Sequence, residues 1–403
     1  MDKQLGNRPK NLRSQNRKVV LNLYRRHTVL SVAELAQMVR LSRTTVMKIN
    51  EELLSEAVIR EAGKGASTDE GGKKPAVFAF NARRNFILAF YIRYGAVHVQ
   101  LFDLQGRSVA EAQAAIAPDE TLPAILEVMA ALLRGIRQKE PVDGSLLTCV
   151  VAVHANVDSE TGVCLHSTYF PSWGRDFPLQ DRLVEALELQ CPVSVENWIR
   201  LLAFAERERG LARNHDSVVF IDAGWHGITS GILLHGNLYR GRNNLSGEIG
   251  HMILDPHDPL PCACGGRGCF ESLISCARLL DKAARLAAST PESVLARQPL
   301  SLEILFRACE DGDALARSLL DEIVGWFAIG LSNLTLFFDP EIIILEGDYA
   351  RAGAWFQEQL RRRAAGISLL RFPRETELRF KESSYSTVLK GAADLALEKL
   401  YGG

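Results

Sequence analysis

Gly247-Glu248-Ile249-Gly250-His251, followed ten residues later by Cys262-Ala263-Cys264-Gly265-Gly266-Arg267-Gly268-Cys269-Phe270-Glu271, is the stretch on which the reading of this chain turns. One imidazole and three thiols, the thiols packed within eight residues and interleaved with glycines, are the ligand set of a closed tetrahedral Zn²⁺ site. His251, Cys262, Cys264 and Cys269 are therefore the expected metal ligands, holding one structural zinc per chain. Four protein ligands leave no open position for water, so a catalytic zinc is the weaker reading.

Around this stretch lies a chain of 403 residues, too long for one hydrophobic core, so two or three domains are expected. No segment approaches the roughly 20 apolar residues of a membrane span, and the N-terminus carries no apolar signal region. Eight cysteines without a secretory signal point to a reducing compartment, with thiols used for metal and a cytoplasmic location. The formal net charge of −1 hides a division: residues 1–80 carry 15 Lys+Arg against 8 Asp+Glu, and the remainder is net acidic. A basic head on an acidic body suggests that the head alone meets a polyanion.

The head's pattern sharpens that suggestion. Ser14 to Arg26 reads as a first helix, and Ser31-Val32-Ala33-Glu34 as a capping box opening a second that runs through Val39. Ser42 caps a third helix through Ser55, with Val46, Ile49 and Leu53 inward and Arg43, Thr44, Thr45, Lys48 and Asn50 expected on the outer faces. Val58–Glu61 and Ala76–Phe80 read as two wing strands around a polar loop containing Lys73 and Lys74. The whole is a winged helix-turn-helix. Ser42, Arg43, Thr44, Thr45, Lys48, Lys73 and Lys74 are the candidate contacts to double-stranded DNA. Arg40 occupies the turn position where glycine is common and should sit uncomfortably at positive φ.

From Phe86 onward, short β-rich runs alternate with helices, and the series restarts at Val218-Val219-Phe220-Ile221-Asp222. Two βββαβα-like halves suggest an α/β, two-lobed actin-like (ribonuclease H-like) fold. The expected organisation is a head over residues 1–82 and a large domain over 83–403. Its first lobe covers about 83–195 plus a closing helix near 386–400, and its second about 196–385.

The Gly-Glu-Ile-Gly-His stretch with its Cys-x-Cys-Gly-x2-Gly-Cys-x-Glu resembles the signature of the ROK family, which contains sugar kinases and sugar-responsive repressors. The head resembles the N-terminal domain of the repressors. The resemblance implies sugar contacts from Asn197, Glu248, His251 and Glu271, carboxylates and amide being suited to adjacent hydroxyls. It also implies a homodimer or tetramer, an operator and a sugar or sugar-derivative effector. For part of the family a protein partner replaces the sugar. Coupling to the head would run through the zinc loop and the linker at Lys74 to Asn81.

The kinase parts of that resemblance are degraded. Tyr91-Ile92-Arg93-Tyr94-Gly95 stands where the kinases have Asp-x-Gly-Gly-Thr, and Trp225-His226-Gly227-Ile228-Thr229 where they have a glycine-rich phosphate loop. Leu345-Glu346-Gly347 places a carboxylate beside the nucleotide position. Glu196-Asn197-Trp198 has an indole at the position of the family's general base, and Trp198 accepts no proton. No catalytic residue is therefore expected, and the chain reads as a transcriptional repressor of carbohydrate genes. The alternatives are a regulator titrated by a protein partner at the zinc-proximal surface and an active sugar kinase with an appended head.

Overall fold

The computed structural model describes residues 9–65, 74–118, 120–140, 146–367, 376–382 and 384–401. The chain forms two compact units, the first from residues 1–153, 167–195 and 392–403, the second from 154–166 and 196–391.

The first unit begins with α1 (Pro9–Arg26), β1 (Leu30–Ser31), α2 (Val32–Val39), α3 (Arg43–Ser55), β2 (Ile59–Lys64) and β3 (Ala76–Phe80), with strand order β1-β3-β2. The three helices and the two later strands follow the expected order, although α1 starts earlier than Ser14 and the short β1, which pairs with β3, was not expected. At α2 the capping box is complete: Ser31 Oγ accepts from the Glu34 amide at 3.3 Å, and Glu34 accepts from the Ser31 amide at 2.7 Å. Arg40 does end α2 in the left-handed region, at φ 53°. The apolar stripe of α3 holds Val46, Ile49 and Leu53 as expected, but Asn50 is buried rather than outward. Its amide donates to the Tyr24 hydroxyl at 2.8 Å. A polar residue at i+4 of a buried stripe faces the core, and the phenol of α1 supplies the partner it needs there.

The same unit contains β4 (Phe86–Arg93), β5 (Ala96–Asp103), β6 (Ser108–Ala115), α4 (Leu122–Lys139) and β7 (Leu146–Val153). After the short strands β8 (Asn156–Asp158) and β9 (Val163–His166) of the other unit come α5 (Leu179–Leu187) and β10 (Val193–Asn197). The sheet order is β10-β7-β4-β5-β6. β4 is buried from Phe86 to Ile92, as a central strand covered on both faces must be, whereas edge strand β6 has half of its residues exposed and none buried. The head is fastened to this layer: Arg25 donates to the Leu104 carbonyl, and its guanidinium lies 4.9 Å from the Tyr401 ring.

The second unit runs through α6 (Trp198–Arg209), β11 (Val218–Gly224), β12 (Gly227–Leu234), β13 (Asn237–Leu238), α7 (Phe270–Leu273), α8 (Cys276–Ala287), α9 (Leu302–Glu310) and α10 (Ala314–Phe338). It continues with β14 (Ile342–Glu346), α11 (Ala354–Ile367) and β15 (Glu377–Phe380) and reaches the start of α12 (Tyr385–Tyr401). Its sheet order is β13-β12-β11-β14-β15, with β11 parallel to β14. The 25-residue α10 is long and apolar enough to cross a membrane by composition. Its Leu320, Val324, Phe327 and Leu331 nevertheless form the core of this unit with Phe270, Tyr349 and Phe356.

Candidate functional site

The metal-ligand set converges in the second unit. The donor atoms of His251, Cys262, Cys264 and Cys269 all lie within 4.8 Å of one another. Cys262 Sγ is 3.6 Å from His251 Nδ1, and Cys264 Sγ is 3.7 Å from Cys269 Sγ. Tetrahedral zinc with bonds of ~2.3 Å to sulfur and ~2.0 Å to nitrogen places ligand atoms ~3.5–3.8 Å apart, so the donors fit the ion. The loop reaches this shape because Gly268, at φ 67°, brings its Cα against Asp255; any Cβ there would lie 1.6 Å from the Asp255 carbonyl oxygen. Arg278 pairs with the buried Asp258 of the same loop.

Thiol protonation competes with a cation here. Burial pushes the Cys262 thiol up to about 12 and raises Cys269, while the Gly266 amide lowers Cys264. Two of the three thiols are thus held protonated, and an ion that binds them must displace those protons, so its affinity rises with pH.

Of the candidate effector residues, His251, Glu271 and Glu248 adjoin the loop, and Asn197 lies at the start of α6. His251 turns Nδ1 toward the thiols, which leaves Nε2 as the nitrogen for another partner. Glu271 sits beside the cluster, its Oε1 3.5 Å from Cys262 Sγ. Glu248 is partly buried and its carboxyl is raised by burial, an effect opposed by the charges of His251 and Arg200. Asn197 is buried and caps α6, its side-chain oxygen accepting from the Ile199 amide at 3.0 Å. Next to it, Trp198 stacks on His154 with ring centroids 4.5 Å apart and planes 11° from parallel.

A charged hub that sequence reasoning passed over holds the backbone around Asn197 and the loop that leads to Glu248. Glu196 Oε1 accepts from Ser159 Oγ at 2.8 Å and from Arg200 Nη1 at 3.2 Å; its Oε2 accepts from Arg240 Nε at 2.9 Å and Nη2 at 2.6 Å. Arg200 is 1% exposed and its Nη2 donates to the Asn244 carbonyl at 2.6 Å. The hub joins the β8–β9 hairpin, the start of α6 and the 240–248 loop that ends in Glu248. The i, i+4 spacing of Glu196 and Arg200 across the β10–α6 junction was its visible signal.

In the head, Ser42, Arg43, Thr44 and Lys48 are exposed and Thr45 is half-buried. Ser42 Oγ is already engaged as the α3 cap, accepting from the Thr45 amide at 3.1 Å and lying 2.8 Å from the Thr44 hydroxyl. Met47 and Glu51 share the outward face. Lys74 is exposed, and Lys73 lies outside the described residues.

The ROK family profile matches residues 92–399. The xylose repressor of Bacillus subtilis (strain 168) is 26% identical over 333 residues, covering 82% of this chain and 81% of that protein. Among solved structures, a ROK family transcriptional regulator described as a homologue of the E. coli MLC protein superposes with a TM-score of 0.80 at 22% identity, over 97% of both chains. A ROK family glucokinase from Streptomyces griseus, solved with glucose and AMPPNP, gives a TM-score of 0.62 at 25% identity, over 77% of this chain and 99% of that one. The profile and the fold thus define a ROK architecture with a helical head at the start of its first unit. The chain belongs to the ROK family.

Proposed function

We propose that the protein is a DNA-binding transcriptional repressor of carbohydrate genes, with a sugar or sugar derivative as its effector and no phosphotransfer activity. The observation that carries the proposal is the outward row of Arg43, Thr44 and Lys48 on α3, a basic, polar face on a three-helix head with a β-hairpin wing. Such a helix enters the major groove, where Arg43 and Lys48 supply the donors for phosphates and guanine edges and Lys74 extends from the wing. A homodimer would place two such helices in successive grooves. That a relative matched over 82% of this chain is named a xylose repressor supports the same reading.

On the effector side, Asn197, Glu248, His251 and Glu271 present an amide, two carboxylates and an imidazole to hydroxyls, and His251, Cys262, Cys264 and Cys269 hold one structural Zn²⁺ that keeps their loop folded. The zinc has no open position and takes part in no chemistry. Trp198 replaces a proton acceptor with an indole stacked on His154, so a bound sugar meets no general base at that position. The protein would work in the cytoplasm, where reduced thiols persist.

The test is fluorescence anisotropy against DNA selected in vitro from a random pool, repeated with a panel of sugars and sugar phosphates. Nanomolar, salt-dependent binding that one sugar weakens tenfold or more is the expected result. No sequence-selective binding by the zinc-loaded protein would overturn it. Selective binding untouched by any sugar would transfer the effector role to a protein partner.

A further inference from the structure

The end of β11 meets the turn after β14 through two glycines. A Cβ on Gly224 would lie 2.4 Å from Asp348 Oδ2, and one on Gly347, at φ 90°, would lie 2.4 Å from the Ala223 carbonyl oxygen. This approach brings the Asp348 carboxylate under the β11–β12 turn. The Trp225 amide donates to Asp348 Oδ2 at 2.8 Å, and Arg351 Nη2 donates to Oδ1 at 2.5 Å. A main-chain N–H at a glycine-bounded turn, together with a guanidinium, is the donor set of a small anion seat. The seat is taken by the protein's own carboxylate.

The seat lies among other acids. Asp222 pairs in register with Glu346 across β11 and β14, immediately before the two glycine turns. Burial and the negative charge of Asp348 push Asp222 up to about 7. The two acids thus lie close together, with the Trp225 amide and Arg351 as the donors that face Asp348.

We propose that Asp348 is a built-in anion, filling the position beside the Trp225 amide and Arg351 that a phosphate oxygen would otherwise take, so that removing its carboxylate creates a binding site for inorganic phosphate and phosphate esters. The wild-type turn is closed to such ligands by occupation and by like charge. This holds whether or not the chain responds to a sugar.

The experiment is thermal melting of the full-length, zinc-loaded protein and of Asp348→Ala in phosphate, acetate and tripolyphosphate, each matched in ionic strength with sodium chloride. The variant should melt lower than wild type. Phosphate should raise its midpoint by a few degrees in a saturable way, and acetate should give a weaker partial rescue. Wild type should follow the chloride control in every arm. Adding Arg351→Ala to the variant should abolish the rescue. Asp348→Ser, which keeps an acceptor near the Trp225 amide, takes the place of the alanine variant if that one does not fold. Equal responses of variant and wild type would overturn the proposal, as would saturable phosphate binding by wild type that Arg351→Ala removes.

Discussion

Replacing Arg200 by alanine is the most demanding test of how the candidate effector loop is built. The guanidinium is 1% exposed and donates to Glu196 Oε1 at 3.2 Å, to the Asn244 carbonyl at 2.6 Å and, weakly, to the Ser246 carbonyl at 3.5 Å. Taking one partner from a buried ion pair costs ~3–5 kcal/mol, because the other charge stays in a low-dielectric interior. Here Glu196 keeps Arg240 on its other oxygen, which moderates that part. The Asn244 carbonyl loses a charge-assisted bond, adding a further ~1–2 kcal/mol unless water replaces the donor. A loss of about 4 kcal/mol is therefore expected in urea unfolding followed by tryptophan fluorescence. Arg200→Lys, a point charge unable to span both acceptors, should lose about half as much. Hydrogen exchange should quicken at the amides of residues 240–248 and remain unchanged in α3. A loss below ~1 kcal/mol, or unaltered exchange in that loop, would refute the claim that Arg200 holds it.

Arg43→Ala should weaken binding to the selected DNA and lower its salt dependence by about one phosphate equivalent if the side chain meets the backbone, or relax selectivity at one base pair if it meets a guanine. Anisotropy over a salt series separates these outcomes, and a variant with unchanged affinity would remove α3 as the reading helix. Cys269→Ser should reduce zinc content from one ion per chain toward zero by atomic absorption and lower the melting midpoint, as should chelation of wild type at neutral pH; full zinc occupancy in the variant would contradict the ligand assignment. Asp222→Asn addresses pH. The Asp222 carboxyl is raised from its ordinary 3.8 to about 7, so its contribution to stability is complete below about 4 and is lost as pH rises through 7. The asparagine variant should thus match wild type near pH 4 and exceed it at pH 8. Asp222 keeps partial exposure, so the full linkage value of ~4 kcal/mol is a ceiling. An equal difference at both pH values would show that ionisation is not the cause.

The zinc loop was legible because its donors lie close together in sequence and glycines mark where the backbone must turn. The head was legible through caps and apolar spacing, which also explains the error at Asn50. Hydrophobic periodicity counts apolar residues and is blind to a polar one whose partner, Tyr24, sits on another helix. Trp198 was visible as a substitution in a motif, but its stacking on His154 was not, because 44 residues separate them. Arg240 and Asp348 escaped for the same reason. Charged side chains read as surface in sequence, and only the fold reveals that one serves Glu196 and the other the Trp225 amide.

The division of the chain into units that are discontinuous in sequence bears on how the protein is made. The first unit takes its final segment from residues 392–403, and the second needs residues as far as 391. On the ribosome, the β4–β5–β6 sheet can form early, but the layer that receives the head lacks the closing turns of α12 until the whole second unit has been made. Strand edges left unpaired during that interval are open to aggregation, and a chaperone that shields them would raise the yield of native protein.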